Sequence, residues 1–298
     1  MFNRRRFLHS SVAAAVLPHW SANAFAAGTA PLQLKHFPSD ENGFSRAPVL
    51  LAGEKEVILI DGGFTLSDGR ALAQAIAESG KTLTTIYISQ SDPDYYFGLG
   101  PVREAFPNAQ ILAAPETLMA IAANVDKKLS VWGPQLKDNG PQRREDVVVA
   151  QPWSAPFLMH EGHRIEIVPA EGMDNRRYLW VPSLRAIVGG VLVFAGLHVW
   201  MADTPSASAR QAWRKNLQAM LQRQPKLVVP GHMLPGSALD ASAIRFTLEY
   251  LEAFEEAVSQ ARHSADVIQT MQKRYPHLRG RSSLALGAKV VMGEMAWG

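Results

Sequence analysis

From Pro48 onward the chain alternates short apolar runs with segments of helical period. The apolar runs at 49–52 and 57–60 flank Gly53-Glu54-Lys55, which predicts a hairpin. "SDGRALAQAIAESGK" (67–81) sets Leu72, Ala75 and Ile76 at helical spacing and stops at Ser79-Gly80, so it predicts a short amphipathic helix. The β-branched "LTTIYIS" (83–89) reads as a strand and "PVREAF" (101–106) as a second short helix. "AQILAAP" (109–115) is another strand, followed by a longer helix in "ETLMAIAANVDKKLSVW" (116–132). Alternation of this kind over residues 48–130 predicts a sheet covered by helices.

The second half changes style. "HRIEIVPAE", "RRYLWVPSLRAIVGGVLVF" and "PKLVVPGH" read as strands with hairpin turns, with a helix over 209–224 between the last two. From Ala241 the period is helical again and predicts an αα-hairpin. Two halves, each a sheet backed by helices, predict an α/β protein: a four-layer αβ/βα sandwich at 28–235 with a helical extension at 236–298 packed on it.

The first 27 residues belong to neither layer. Arg4, Arg5 and Arg6 precede a short, weakly apolar run, and Ala22-Asn23-Ala24 and Ala24-Phe25-Ala26 offer small-residue cleavage sites. That is the layout of a secretory signal, of the type handled by the twin-arginine export machinery. Pro18, His19 and Trp20 interrupt the run short of a membrane span. The expectation is a periplasmic protein cleaved near residues 24–27. Those three arginines account for the whole formal charge of +3, so the remaining chain is neutral overall. A neutral surface argues against nucleic acid or an anionic membrane as partner of the mature form and leaves a small molecule. With no cysteine there is no disulfide, thiolate nucleophile or thiolate metal site.

Four stretches carry chemistry in a fixed order: "VILIDGG" (57–63), "SQSDPDYYFG" (89–98), "AIVGGVLVF" (186–194) and "VVPGHM" (228–233). Together they resemble the metallo-β-lactamase fold family over residues 46–235. The resemblance implies a sandwich with a one- or two-metal site where the sheet ends meet, and hydrolysis by metal-activated water. The family's turn reads His-x-His-x-Asp-His; here those places hold Gln90, Asp92, Asp94 and Tyr95, and Gly98 closes the turn. The family's next histidine falls in "PAEGMDN", where Glu171 is the nearest side chain able to coordinate. Its bridging Asp falls on Gly190, its last His is kept as His232, and its structural Asp is matched by Asp61. A two-zinc site of the ordinary kind therefore cannot be assembled.

What remains predicts one Asp/His site. Asp92, Asp94, His232 and Glu171 would bind a single divalent ion (Zn, Mn or Fe), or no ion at all. Asp94, Tyr95 and His198 are the candidate catalytic residues, while Gln90, Tyr96 and Trp200 would meet a substrate such as an ester or lactone. Each has a plainer reading. Asp92-Pro93 is a good N-cap with proline at N1, and Asp94 suits a first helical turn. The tyrosines can be packed aromatics, and Asp203 or Thr204 can cap the helix that follows. His160 and His163 flank an "EGH" turn and are expected to be exposed; Arg176 and Arg177 lie near the expected cleft edge. The rival to a hydrolase is a catalytically silent binding protein that kept the fold.

Overall fold

The computed structural model describes residues 30–297, so the expected signal segment lies outside the described residues. The first sheet has six strands in chain order: β1 (Gln33–His36), β2 (Val49–Ala52), β3 (Glu56–Ile60), β4 (Thr82–Ile88), β5 (Gln110–Ala113) and β6 (Gln151–Pro152). The first three are antiparallel and the next pairings are parallel. Parallel strands need crossovers, and helices α1 (Leu66–Glu78), α2 (Gly100–Ala105) and α3 (Pro115–Leu136) supply them. Thr65 caps α1 with a full capping box to Asp68, and burial of Leu72 and Ile76 fixes its inward face.

The second sheet runs β12-β10-β9-β8-β7, built from β7 (Phe157–His160), β8 (His163–Pro169), β9 (Arg177–Val181), β10 (Ala186–Val188) and β12 (Leu227–Val228). Two short strands, β11 (Phe194–Ala195) and β13 (His232–Met233), pair in parallel beside it. Helix α4 (Ala207–Gln222) crosses between them. Three helices rather than a hairpin of two follow: α5 (Ser242–Gln260), α6 (Ser264–Arg274) and α7 (Arg281–Val291). One core fills the space between the two sheets and the C-terminal helices, with Ile60, Leu179, Val188 and Phe254 among its buried members; a second lies between the first sheet and α1–α3. The architecture is the expected α/β sandwich with C-terminal helices. Among the described residues no helix is long and apolar enough to cross a membrane.

The expected exposure of His160 and His163 is corrected. Both are buried, at 2 % and 9 %. Glu161 (φ 43°) and Gly162 (φ 83°) both take left-handed conformations, which makes a tight two-residue turn between β7 and β8. That turn packs onto the β2–β3 turn, where Glu161 accepts the Lys55 N–H at 2.9 Å, and His163 Nε2 lies 2.8 Å from the Ala30 carbonyl.

Candidate active site

Strand β4 ends at Ile88, and the following seven residues carry the altered turn. Pro93–Tyr95 form a single 3₁₀ turn, not the start of an α-helix. Asp92 stands at its N-cap position, but its side chain makes no capping bond. The carboxylate instead accepts from Gln90 Nε2 at 3.0 Å and from Arg176 at 3.0 Å, with Lys128 of α3 at 3.8 Å. The cap for α4 is likewise not Asp203 or Thr204 but Ser206, which accepts the Ala209 N–H.

Asp94 and His232 meet. Asp94 Oδ2 has no hydrogen-bond partner and faces His232 Nε2 at 3.5 Å. The imidazole of His232 is held on every other side: Nδ1 is 2.9 Å from the Phe44 carbonyl, Phe194 stacks on one face at 5.0 Å, and Tyr95 approaches edge-on at 6.3 Å. A carbonyl only accepts, so Nδ1 carries the hydrogen and Nε2 presents its lone pair to Asp94. Burial pushes the Asp94 carboxyl up to about 6 against the pull of Arg46. Burial and then the Arg46 charge push His232 down to about 4. The pair is thus a carboxyl poised near neutrality beside an imidazole that stays uncharged.

Behind this pair lies a residue that the sequence pattern did not mark. Arg46 is fully buried, donates to the Gly231 carbonyl and to Asp61, and stacks its guanidinium 3.8 Å over the Tyr95 ring. Asp61, itself left-handed at φ 65°, also accepts the Ser89 N–H at 2.7 Å and the Ser89 hydroxyl at 2.8 Å. Ser89 Oγ in turn accepts the Gly190 N–H at 2.8 Å. One chain of hydrogen bonds therefore ties the loop before β2, the end of β3, the altered turn and the Gly190 and Gly231 loops together. Gly98 serves the same frame: a Cβ there would fall 2.4 Å from the Gly62 carbonyl.

The Asp94–His232 pair lies on the wall of a cavity of about 580 Å³. Its apolar side is an aromatic cluster of Phe44, Phe64 and Trp132, with centroids 4.9–5.6 Å apart. Tyr95, His198 and Trp200 also line it. The hydroxyl of Tyr95 has no partner. The His198 ring makes its one bond to Tyr250, at 2.9 Å, rather than to Asp94 or His232. The indoles of Trp200 and Trp297 meet edge to face at 5.4 Å and both donate to Asp203, which Arg176 also approaches at 3.5 Å. Gln90 lines a smaller adjoining cavity of about 290 Å³, and Tyr96 packs into the core against Phe97. Arg176 is spent on Asp92 and Asp203, while Arg177 is buried and pairs with Glu116. Lone charged or aromatic residues such as Arg46, Trp132 and Trp297 carry no periodic or motif signal. The one hint at Arg46 was a charge placed just before an apolar strand.

The donor set does not fit the metal that the family commonly holds. Among the described residues no three His, Asp or Glu side chains converge as metal ligands. Asp94 and His232 supply two donors, Asp92 is neutralised by Arg176 and Lys128, and Tyr95 stacks on a fixed cation. Glu171, the expected further ligand, is exposed and outside the cavity; Asn216 clasps its backbone N–H and carbonyl at 2.9 Å each. Gly190 cannot take back the family's bridging acid, since at φ 71° a Cβ would fall 2.0 Å from the Arg177 carbonyl oxygen. The expected Asp92–Asp94–His232–Glu171 set is corrected to the Asp94–His232 pair.

No curated protein matches the sequence. Among solved structures, a beta-lactamase domain protein from Burkholderia ambifaria superposes with a TM-score of 0.60 at 15% identity, covering 88% of this chain and 84% of that one. A metallo-beta-lactamase family protein from Thermus thermophilus gives 0.57 at 15% identity, covering 89% and 93%. At that identity the likeness speaks for the fold alone. The profile described as the metallo-beta-lactamase superfamily matches residues 43–232, a span that runs from just before Arg46 to His232, and the chain belongs to that superfamily.

Proposed function

We propose that the protein is an exported hydrolase that opens a small ester or lactone in the 580 Å³ cavity, using Asp94 and His232 to handle the protons. The superfamily consists largely of hydrolases, which sets the reaction class. The observation that carries the reading is the unpartnered Asp94 oxygen facing the His232 lone pair at 3.5 Å. A buried acceptor left without a donor is costly, and two acceptors facing each other call for a shared proton or a water that bridges them from one side.

A water bridging the two from the cavity side, since 3.5 Å leaves no room between them, donates one hydrogen to Asp94 and the other to His232 Nε2, so both lone pairs are satisfied and its oxygen turns to the cavity. Asp94 takes a proton from this water as it attacks the substrate carbonyl, then returns it to the departing alkoxide. The unpartnered Tyr95 hydroxyl is the donor available to the carbonyl oxygen. Arg46 does not touch substrate; it fixes Tyr95 and helps burial keep His232 uncharged.

The test is turnover of an ester and lactone panel by mature protein treated with chelator. Asp94→Asn is expected to lower kcat by about 10²–10⁴-fold, the usual worth of a general base, with the folded state intact. Turnover that appears only when a divalent metal is added would overturn the proton-handling role.

A further inference from the structure

The two cavities share a wall. Asp92, Asp203 and Trp297 line both of them, and the spaces on either side differ in character. Phe44, Phe64, Trp132, Leu197 and Leu286 line the larger cavity, whereas Gln90, Ser91, Asp174, Asn175 and Arg176 line the smaller. The polar atoms of the boundary are spent on one another. Arg176 reaches from Asp92 at 3.0 Å to Asp203 at 3.5 Å, and the indole N–H groups of Trp200 and Trp297 donate to the two Asp203 oxygens at 3.0 and 2.8 Å. A carboxylate that holds three donors is fixed in place, and the two indole rings beside it present carbon.

Trp297 comes from outside the profile-matched span, and it belongs to neither core. Its position is set by contacts on the way to it. Helix α7 lies directly on the segment before Asp203: a Cβ at Gly287 would fall 2.9 Å from the Met201 Cβ and 3.3 Å from its backbone nitrogen, so glycine permits an approach that a larger residue would push back. Gly293, left-handed at φ 75°, turns the chain off the end of α7. Glu294 then accepts the Ser264 N–H at 2.6 Å and the Ser264 hydroxyl at 2.5 Å, which pins the chain to the start of α6. Met295 and Ala296 are exposed, and Trp297 returns from them to Asp203.

We infer that Trp297 is a specificity-determining residue: its ring closes the apolar cavity toward the polar one, so the molecule bound there is apolar up to the end that meets this wall. A hydroxyl or charge at that end lies against indole carbon and finds no partner, because the donors and acceptors of the boundary are already taken. Applied to the substrate, the statement rests on the hydrolase reading and names an ester or lactone with a compact apolar body. The closure itself does not rest on it.

Methyl ketones copy an ester carbonyl and offer no bond to cleave. Calorimetric titration of the mature protein with unbranched 2-alkanones, and with the same series ending in a hydroxyl, therefore reads the wall without turnover. In the parent protein affinity is expected to rise about fourfold per methylene until the chain meets the wall, and the terminal hydroxyl to cost about tenfold at every length. Trp297→Ala joins the two cavities: the hydroxyl penalty should vanish for chains that reach past residue 297, while compact ketones bind more weakly. Trp297→Phe, which keeps a ring in the gap, should retain the penalty and so separate closure from a general loosening of this segment. A terminal hydroxyl that costs nothing in the parent overturns the assignment. So does a penalty that Trp297→Ala leaves unchanged at every length, or one lost as fully in Trp297→Phe. The expected shift in ketone selectivity, in a protein that hydrolyses no ester or lactone, leaves the closure standing and removes the hydrolase reading.

Discussion

The residues that hold the family's frame and the residues that hold its metal have fared differently in this chain. Asp61 and Ser89 are joined by hydrogen bonds, and Gly98 and Gly231 sit where a Cβ would collide with backbone; even Gly190, which stands in place of the family's bridging acid, is bonded to Ser89 and closed to a side chain. The ligand positions beside them hold Gln90, Asp92, Asp94 and Tyr95, each with a new partner: Asp92, Arg176, His232 and Arg46 in turn. The frame constrains backbone, where a lost contact cannot be repaired locally. The ligand positions constrain side chains, where a new pairing can be found. Loss of the metal set therefore left a differently wired polar site rather than an apolar plug.

Restoring the family's acid is the strongest way to break that contrast. Gly190→Asp is expected to cost about 4 kcal/mol or more, because it strains a left-handed position and collides with the Arg177 carbonyl. Denaturant melts measure it; a stable variant that gains a bound metal would show the frame to be less rigid than described. Next comes Arg46→Met, which leaves Asp61 buried without its cation at an expected cost of about 3–5 kcal/mol.

The titration of the pair gives a sharper, smaller effect. Asp94 is raised to about 6, so it favours folding below the ordinary carboxylate range and loses that contribution as pH rises through 6. His232 is lowered to about 4, so the unfolded chain takes up its proton first and stability falls as pH drops from 6.5 toward 4. Each contribution is about 3 kcal/mol at most, and the two oppose each other over the same window. Stability of the parent should change little at these sites between pH 6 and 4.5. Asp94→Asn should make it fall on acidification, and His232→Asn, which keeps a donor for Phe44, should make it rise. Urea midpoints across that range decide, and parallel profiles for the two variants would refute the pairing. Smallest is Trp297→Ala, expected to cost about 1 kcal/mol through its lost bond to Asp203 and to raise KM severalfold by widening the cavity.

Much of the frame was legible in the sequence because it is written in short local signals. Alternating strand and helix periods gave the sheets, and the four ordered stretches gave their arrangement. The pairing of Asp94 with His232 was accessible through the same register. Arg46 was not, since nothing local distinguishes a buried arginine from a solvated one; its burial depends on Asp61 and Gly231, 15 and 185 residues away. Glu171 failed for a related reason. Its loop resembles a ligand turn, but Asn216 of α4 fixes the backbone so that the carboxylate points to solvent. The helical period from Ala241 predicted helices but not that α7 and Trp297 would wall the cavity.

The buried guanidinium of Arg46 has a further consequence. A bound metal's charge is captured from the surroundings and can be withdrawn by a competing chelator, whereas that of Arg46 is translated with the chain and arrives as the protein folds. On the hydrolase reading proposed above, the field at Asp94 and His232 is then set in every copy by folding alone.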